Sequence, residues 1–376
     1  LEEKKNRQQG LKRTGLRIKN IDKNNNYSIL ETTLLPQSGC RARLVYADCA
    51  PAASLFRRMI RLRKYLLPEG GKFYKANLHC HTTISDGDLT DKELKKAYKE
   101  QGYSVVAFTD HDICVSHHEL TDKDFVALTA YEADISNWIV DDSNFVRCYH
   151  FNCYATTDGD GYSTVPKPGY GSIDAINDYI SRLRDAGYIV CYNHPNWSLQ
   201  TFEDYGGLKG LFAMEIFNYS AMLDGIDANH EMPYDALLRG GNRLFCVATD
   251  DNHNRSPFSH PLCDSFGGFT MIKTDSLSYG SIIESLTKGD FYASMGPEIH
   301  SLYTEDGNLC IKCSGVRSIH MTTGGRRTEV ARVHDGETLS EARFYIDPKD
   351  VYVRVQITDN SGRRANTNAY FIDEIL

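Results

Sequence analysis

Residues 72–112 read KFYKANLHCHTTISDGDLTDKELKKAYKEQGYSVVAFTDHD. An extended run over 74–78 delivers His79-Cys80-His81, and the loop behind it carries Ser85-Asp86-Gly87. A helical pattern follows over 89–100, and a second β-branched run over 104–108 ends in Thr109-Asp110-His111-Asp112. Strand-like runs alternating with helices argue for an α/β architecture. Side chains alternate along an extended chain, so the imidazoles of His79 and His81 share one face and can grip one ion. Taken alone such a pair is weak evidence, because hydrogen-bonded or exposed histidines are commoner than metal sites. Its weight comes from the next strand, which also ends on donor side chains.

The alternation continues to about Pro297. Strands are expected at 125–129, 149–154, 188–192, 211–217 and 244–248, with helices at 172–186 and 227–239. Together with the first two strands this predicts a distorted seven-stranded β/α barrel. A strand at 268–274, a helix at 279–288 and an extended segment at 291–294 lead out of it. Beyond Gly296-Pro297 the helical signal stops, and alternating runs at 309–312, 318–322, 342–346 and 351–357 predict a small antiparallel β domain. Upstream, a strand pair at 16–21 and 27–35 flanks the turn Asn24–Asn26, and a basic amphipathic stretch covers 54–67. That stretch reads as a helix packed on the next domain with a solvated basic face, ahead of a membrane- or RNA-binding helix. The organisation expected is an N-terminal extension over 1–70, a barrel over 71–297 and a C-terminal β domain over 298–376.

Composition narrows the function. Hydrophobic residues make up 41% and charged residues 24% of the 376, with no apolar run long enough to span a bilayer. The start of the sequence lacks an export-signal pattern, and the 11 cysteines form no CxxC pairs, so a reducing cytoplasm is expected. A net charge of -8 argues against extensive double-stranded nucleic-acid binding.

Further donors follow the same strands: Glu132 after 125–129, His150 within 149–154, His194 in Asn193-His194-Pro195 after 188–192, and the group Asp250-Asp251-Asn252-His253 after 244–248. In a β/α barrel these ends converge on one mouth. His79, His81, Asp86, His111, Glu132, His150, His194, one of Asp250 and Asp251, and His253 would then face a single pocket. So many carboxylates and imidazoles are costly to desolvate without bound cations.

These residues resemble the PHP (polymerase and histidinol phosphatase) family of metallohydrolases over roughly residues 72–297. The resemblance implies a distorted barrel with two or three divalent ions. It places one ion on His79, His81, Glu132 and Asp251, a second on bridging Glu132 with His150 and His194, and a third on Asp86, His111 and His253. The family's closing Asp-x-His pattern selects Asp251 over Asp250. The segment from Gly267-Gly268-Phe269 to Gly296-Pro297 looks like the carbaryl-hydrolase-like branch.

Mixed imidazole and carboxylate ligation suits Zn, Mn or Fe(II) better than Mg. The expected activity is hydrolysis of a phosphate ester by metal-activated water, with Glu132, His194, Asp251 and His253 at the chemistry and Arg255 as a phosphate clamp. The substrate expected is a small phosphorylated molecule, a nucleotide or an oligonucleotide. Two readings compete with it: an amide, ester or carbamate hydrolase using the same ions, and a non-catalytic scaffold for a binding β domain. Glu215 and Asn218 are candidates to touch substrate, His117 and His118 read as surface residues, and Gly169-Tyr170-Gly171-Ser172 reads as a turn ending in a helix N-cap.

Overall fold

The computed structural model describes residues 63–137 and 146–376. The expected strand pair at 16–21 and 27–35 and most of the amphipathic stretch 54–67 lie outside these. The described end of that stretch contains a short strand, β1 (Lys64–Tyr65), rather than helix.

The strand–helix–strand unit that opens the zone forms as read. Strand β2 (Lys72–Asn77) leads into the His79–Gly87 loop, and helix α1 (Asp91–Glu100) follows. Thr90 and Glu93 cap α1 reciprocally, and Leu94, Ala97 and Tyr98 form its buried stripe. Strand β3 (Tyr103–Phe108) then pairs parallel to β2, and β4 (Val126–Ser136) parallel to β3. Next come β5 (Cys148–Ala155), α2 (Ile173–Asp185), β6 (Tyr188–Tyr192), the one-turn α3 (Phe202–Tyr205) and β7 (Ala213–Asn218). They are followed by α4 (Tyr219–Leu223), α5 (Glu231–Arg239), β8 (Phe245–Thr249), β9 (Phe269–Thr274), α6 (Tyr279–Lys288) and β10 (Phe291–Ser294). Ser172 caps α2, as the turn reading predicts.

The sheet departs from the expected barrel in strand direction and number. β6, β7 and β8 form a second parallel set, but β5 pairs antiparallel to both β4 and β6. Only residues 137–147 separate β4 from β5, fewer than the dozen or more that a parallel crossover takes. β9 pairs antiparallel with β2 and with β10. β8 meets β9 through side chains: Thr270 Oγ1 accepts from Ala248 N at 3.3 Å and donates to Ala248 O at 3.1 Å.

The remaining strands are β11 (Ile299–Glu305), β12 (Asn308–Val316), β13 (Ser318–Thr323), β14 (Thr328–Arg332), β15 (Leu339–Tyr345), β16 (Tyr352–Thr358), β17 (Arg364–Thr367) and β18 (Tyr370–Phe371), closed by helix α7 (Ile372–Ile375). β17 pairs with β10, so the sheet runs unbroken across Pro297 into β16, β13 and β14 and reaches 14 strands. A four-stranded sheet, β1-β11-β12-β15, shares with it an apolar layer that includes Ile299, Leu302, Ile319, Val355 and Ile357. The protein is therefore mixed α/β with one large, strand-rich sheet. Among the described residues no helix is long and apolar enough to cross a membrane.

Candidate metal centre

β2, β3, β4, β5, β6 and β8 bring the predicted donors together. His79 Nε2, His81 Nε2, Glu132 Oε2 and Asp251 Oδ1 form one cluster. His79 Nε2 lies 3.1 Å from His81 Nε2, 3.2 Å from Glu132 Oε2 and 3.1 Å from Asp251 Oδ1, while His81 Nε2 is 3.3 and 3.1 Å from the same two oxygens. A tetrahedron of ligands about 2.0–2.1 Å from its centre has edges of about 3.3–3.4 Å. The four atoms are spaced for one divalent ion.

Glu132 joins this cluster to a second. Its Oε1 lies 3.0 Å from His150 Nδ1 and 3.3 Å from His194 Nε2, and His111 Nδ1 is 3.3 Å from its Oε2. In a third group, His253 Nε2 is 3.3 Å from Asp86 Oδ2, and the His81 and His253 rings stack at 4.3 Å. His81, Asp86, His111 and His253 offer ligand atoms within 4.8 Å of one another there. The buried nitrogens His81 Nδ1, His111 Nδ1 and His150 Nδ1 have no hydrogen-bond partner among the described residues, although carboxylate oxygens lie nearby. Lone pairs that converge on a common point without bonding one another fit a bound cation.

Charge coupling fits the same picture. Burial would depress the His79 imidazole, but Asp251, Glu132 and Glu215 hold it well above its ordinary value. His81 is likewise depressed by burial and pushed up, to about 9, by Asp251 and Glu132. Burial would raise Glu132, yet His79, His150 and His111 keep it well below the usual carboxylate range. Protons on these imidazoles occupy the place that metal ions compete for.

Neighbouring aspartates do different work. Asp251 turns to the cluster, its Oδ2 accepting from Asn218 Nδ2 at 3.1 Å. Asp250 turns away: its carboxylate accepts from Tyr98 Oη at 2.7 Å and from the backbone of Phe266, Gly267 and Gly268 at 2.8–2.9 Å. Burial pushes Asp250 up to about 6. Gly268 is required there, since a Cβ would lie 2.2 Å from Thr249 O.

The roles of some site residues escape the sequence reading. Glu215 is fully buried and accepts from His79 Nδ1 at 2.7 Å, His194 N at 3.0 Å, Asn218 Nδ2 at 3.0 Å and Thr249 Oγ1 at 2.6 Å. It orients His79, whereas the sequence suggested substrate contact. Asp134 lies 3.2 Å from His150 Nε2, and Asn193 Nδ2 donates to Glu132 Oε1 at 2.7 Å. Asp110 shapes the 82–87 loop by accepting from Thr82 N and Ser85 N at 2.8 and 3.1 Å. His117 is buried against Asp91, contrary to the surface reading, while His118 is exposed. Arg255 stands exposed at the rim, its Nη2 3.5 Å from Asp86 Oδ2. The donors floor a cleft of about 380 Å³ whose walls include Trp197, Leu223, Leu262 and Asp264.

No protein-family model matches the sequence, and no curated protein matches it. Solved structures do. A two-domain protein from Bacteroides vulgatus, containing a domain predicted to be a PHP-like metal-dependent phosphoesterase, aligns at 13% identity over 81% of this chain and 98% of its own, with a TM-score of 0.42. A protein from Bifidobacterium adolescentis, assigned on prediction as a metal-dependent phosphoesterase, aligns at 15% identity over 52% of this chain and 93% of its own, TM-score 0.34. An amidohydrolase from Chromobacterium violaceum, with bound sulfate and no metal, aligns at 14% identity over 50% and 93%, TM-score 0.33. None of these three bears on the carbaryl-hydrolase-like branch.

Proposed function

We propose that the protein is a metal-dependent phosphoesterase acting on a small phosphorylated molecule, a nucleotide or an oligonucleotide end. The observation that carries this is the shared carboxylate of Glu132, with the His79, His81 and Asp251 donors on one of its oxygens and His150 and His194 on the other. Divalent ions held there supply an activated water and neutralise substrate oxygens. We assign the first ion to His79, His81, Glu132 and Asp251, the second to Glu132, His150 and His194, and a third to Asp86, His111 and His253, with the 71–297 region as the catalytic part of the chain.

The chain's residues prepare this site. With His79 Nδ1 donating to Glu215, the lone pair is left on Nε2, the atom facing the cluster. Asn193 fixes the bridging carboxylate, and Asp264 holds the 253–254 turn by accepting from His253 N at 2.7 Å. The cleft wall carries Asp86, Asp224, Asp251, Asp264 and Glu132 against Arg255 as the single Lys or Arg side chain among its described lining residues. A phosphate would be repelled from this cleft without bound cations, and Arg255 at the rim would meet one of its oxygens.

The test is a substrate panel with protein reconstituted in Zn, Mn or Fe(II). The best phosphoester should exceed the best carboxyl ester, amide or carbamate by at least about tenfold in kcat/KM. His194→Asn should abolish the activity and leave the circular dichroism unchanged. A carbamate or amide turned over faster than every phosphoester would overturn the reading.

A further inference from the structure

The cleft is lined by two unlike kinds of side chain. The donor cluster lines one part of it, and its lining also includes apolar side chains: Trp197 from the loop after β6, Leu223 from the end of α4 and Leu262 from the loop after β8. Trp197 is 38% exposed and Leu262 56% exposed, a large apolar area left open to water beside a highly charged floor. The indole is not loose. Its ring packs edge-on to His194 at 5.1 Å and tilted on His150 at 5.7 Å, and its Nε1 donates to Asp224 Oδ2 at 3.3 Å. An indole held at its polar edge, with a face open to the cleft beside two candidate ligands, is a preformed platform for a flat apolar group.

The volume sets the scale. At about 380 Å³ the cleft lies near the lower end of the range for small-molecule sites. It accommodates a phosphate and one ring system.

We propose that Trp197, with Leu223 and Leu262, makes this a site for phosphate esters whose alcohol portion is a flat aromatic group, an aryl ester rather than a small aliphatic one. The inference rests on the phosphoesterase reading and names its substrate class. Trp197 acts as a specificity-determining residue: it offers area to the group next to phosphorus and holds no metal.

Binding of inert phosphonates tests this without turnover. Metal-loaded protein is titrated calorimetrically with phenylphosphonate and with methylphosphonate, in the wild type, Trp197→Ala, Trp197→Phe and Leu262→Ala. In the wild type phenylphosphonate should bind at least about tenfold more tightly, in line with burial of a ring against apolar side chains. The preference should fall to about twofold or less in Trp197→Ala, return in large part in Trp197→Phe and weaken in Leu262→Ala, with methylphosphonate affinity and metal content unchanged in all three. Equal affinities in the wild type would overturn the inference and leave the phosphoesterase reading standing. Failure of both phosphonates to bind fully metallated protein would defeat the phosphoesterase reading, and this inference with it. Loss of metal from Trp197→Ala but not from Trp197→Phe would show that the ring only supports His194 and His150, and would also overturn it.

Discussion

Two buried charged clusters in this molecule are built on opposite principles. Where α5 meets the extended sheet, Asp235 takes Arg354 in a bidentate pair, Nε to Oδ1 at 2.9 Å and Nη2 to Oδ2 at 2.8 Å, and also accepts from Tyr352 Oη at 2.9 Å. Arg354 Nη1 reaches Asn366 Oδ1 at 3.4 Å, so the cluster is closed. At the mouth, imidazoles and carboxylates are packed as tightly, yet ring nitrogens of His81, His111 and His150 are left without hydrogen bonds. A buried charge whose partners are all protein groups holds structure together, whereas donors whose lone pairs converge on a common point are arranged to hold a cation. Burial and charge are common to both; satisfaction separates them.

Substitutions can break that contrast. The largest effect should come from Glu132→Ala, which removes the carboxylate shared by two donor groups. We expect loss of at least two metal equivalents and more than a hundredfold loss of hydrolysis, beyond the roughly 10–100-fold typical of outer-sphere changes. Asp86→Ala should lose one equivalent only. Elemental analysis of both variants decides it, and equal loss of a single equivalent would disprove the bridging role.

Asp235→Ala should do the reverse. It strands Arg354 in the interior and should cost about 3–5 kcal/mol in denaturant unfolding, while metal content per folded molecule stays at the wild-type value. A metal deficit in the folded fraction would mean that the two clusters are not independent.

Asp250 sharpens the comparison through pH. Its carboxyl is raised from 3.8 to about 6 in the folded protein, chiefly by burial. The native state therefore binds this proton more tightly than the unfolded chain, and the contribution is fully present below about pH 4 and lost as pH rises through about 6. The change over that window is on the order of 3 kcal/mol. Comparing stability against pH for wild type and Asp250→Asn should show that part of the slope removed in the variant, and parallel curves would refute it.

The smallest effect expected is that of Glu215→Gln, which keeps the shape but weakens the acceptor facing His79 Nδ1. Metal affinity should fall about 10–100-fold with the fold retained. A competition titration with a chromophoric chelator measures this, and an unchanged affinity would remove Glu215 from the site's supporting layer.

By itself the sequence determined the elements and the donor set. Alternating runs and capped amphipathic helices are local patterns, so β2, α1, β3, α2 and α6 lie within a few residues of expectation, and most donors follow strand ends; Glu132 instead lies within β4 and His150 near the start of the antiparallel β5. Tertiary structure decided whatever depended on direction. β5 runs antiparallel because of how the chain returns from β4, and the sheet continues past Pro297 because β17 finds the edge of β10. Asp250 and Asp251 are adjacent and chemically alike. Only the turn after β8, where Asp251 takes a φ of 54°, sends one to the cluster and the other to the backbone of 266–268. Glu215 and Trp197 carried no local signal for their roles, because orienting a histidine or walling a cleft is set by neighbours from other strands, and such neighbours exist only once the chain has folded.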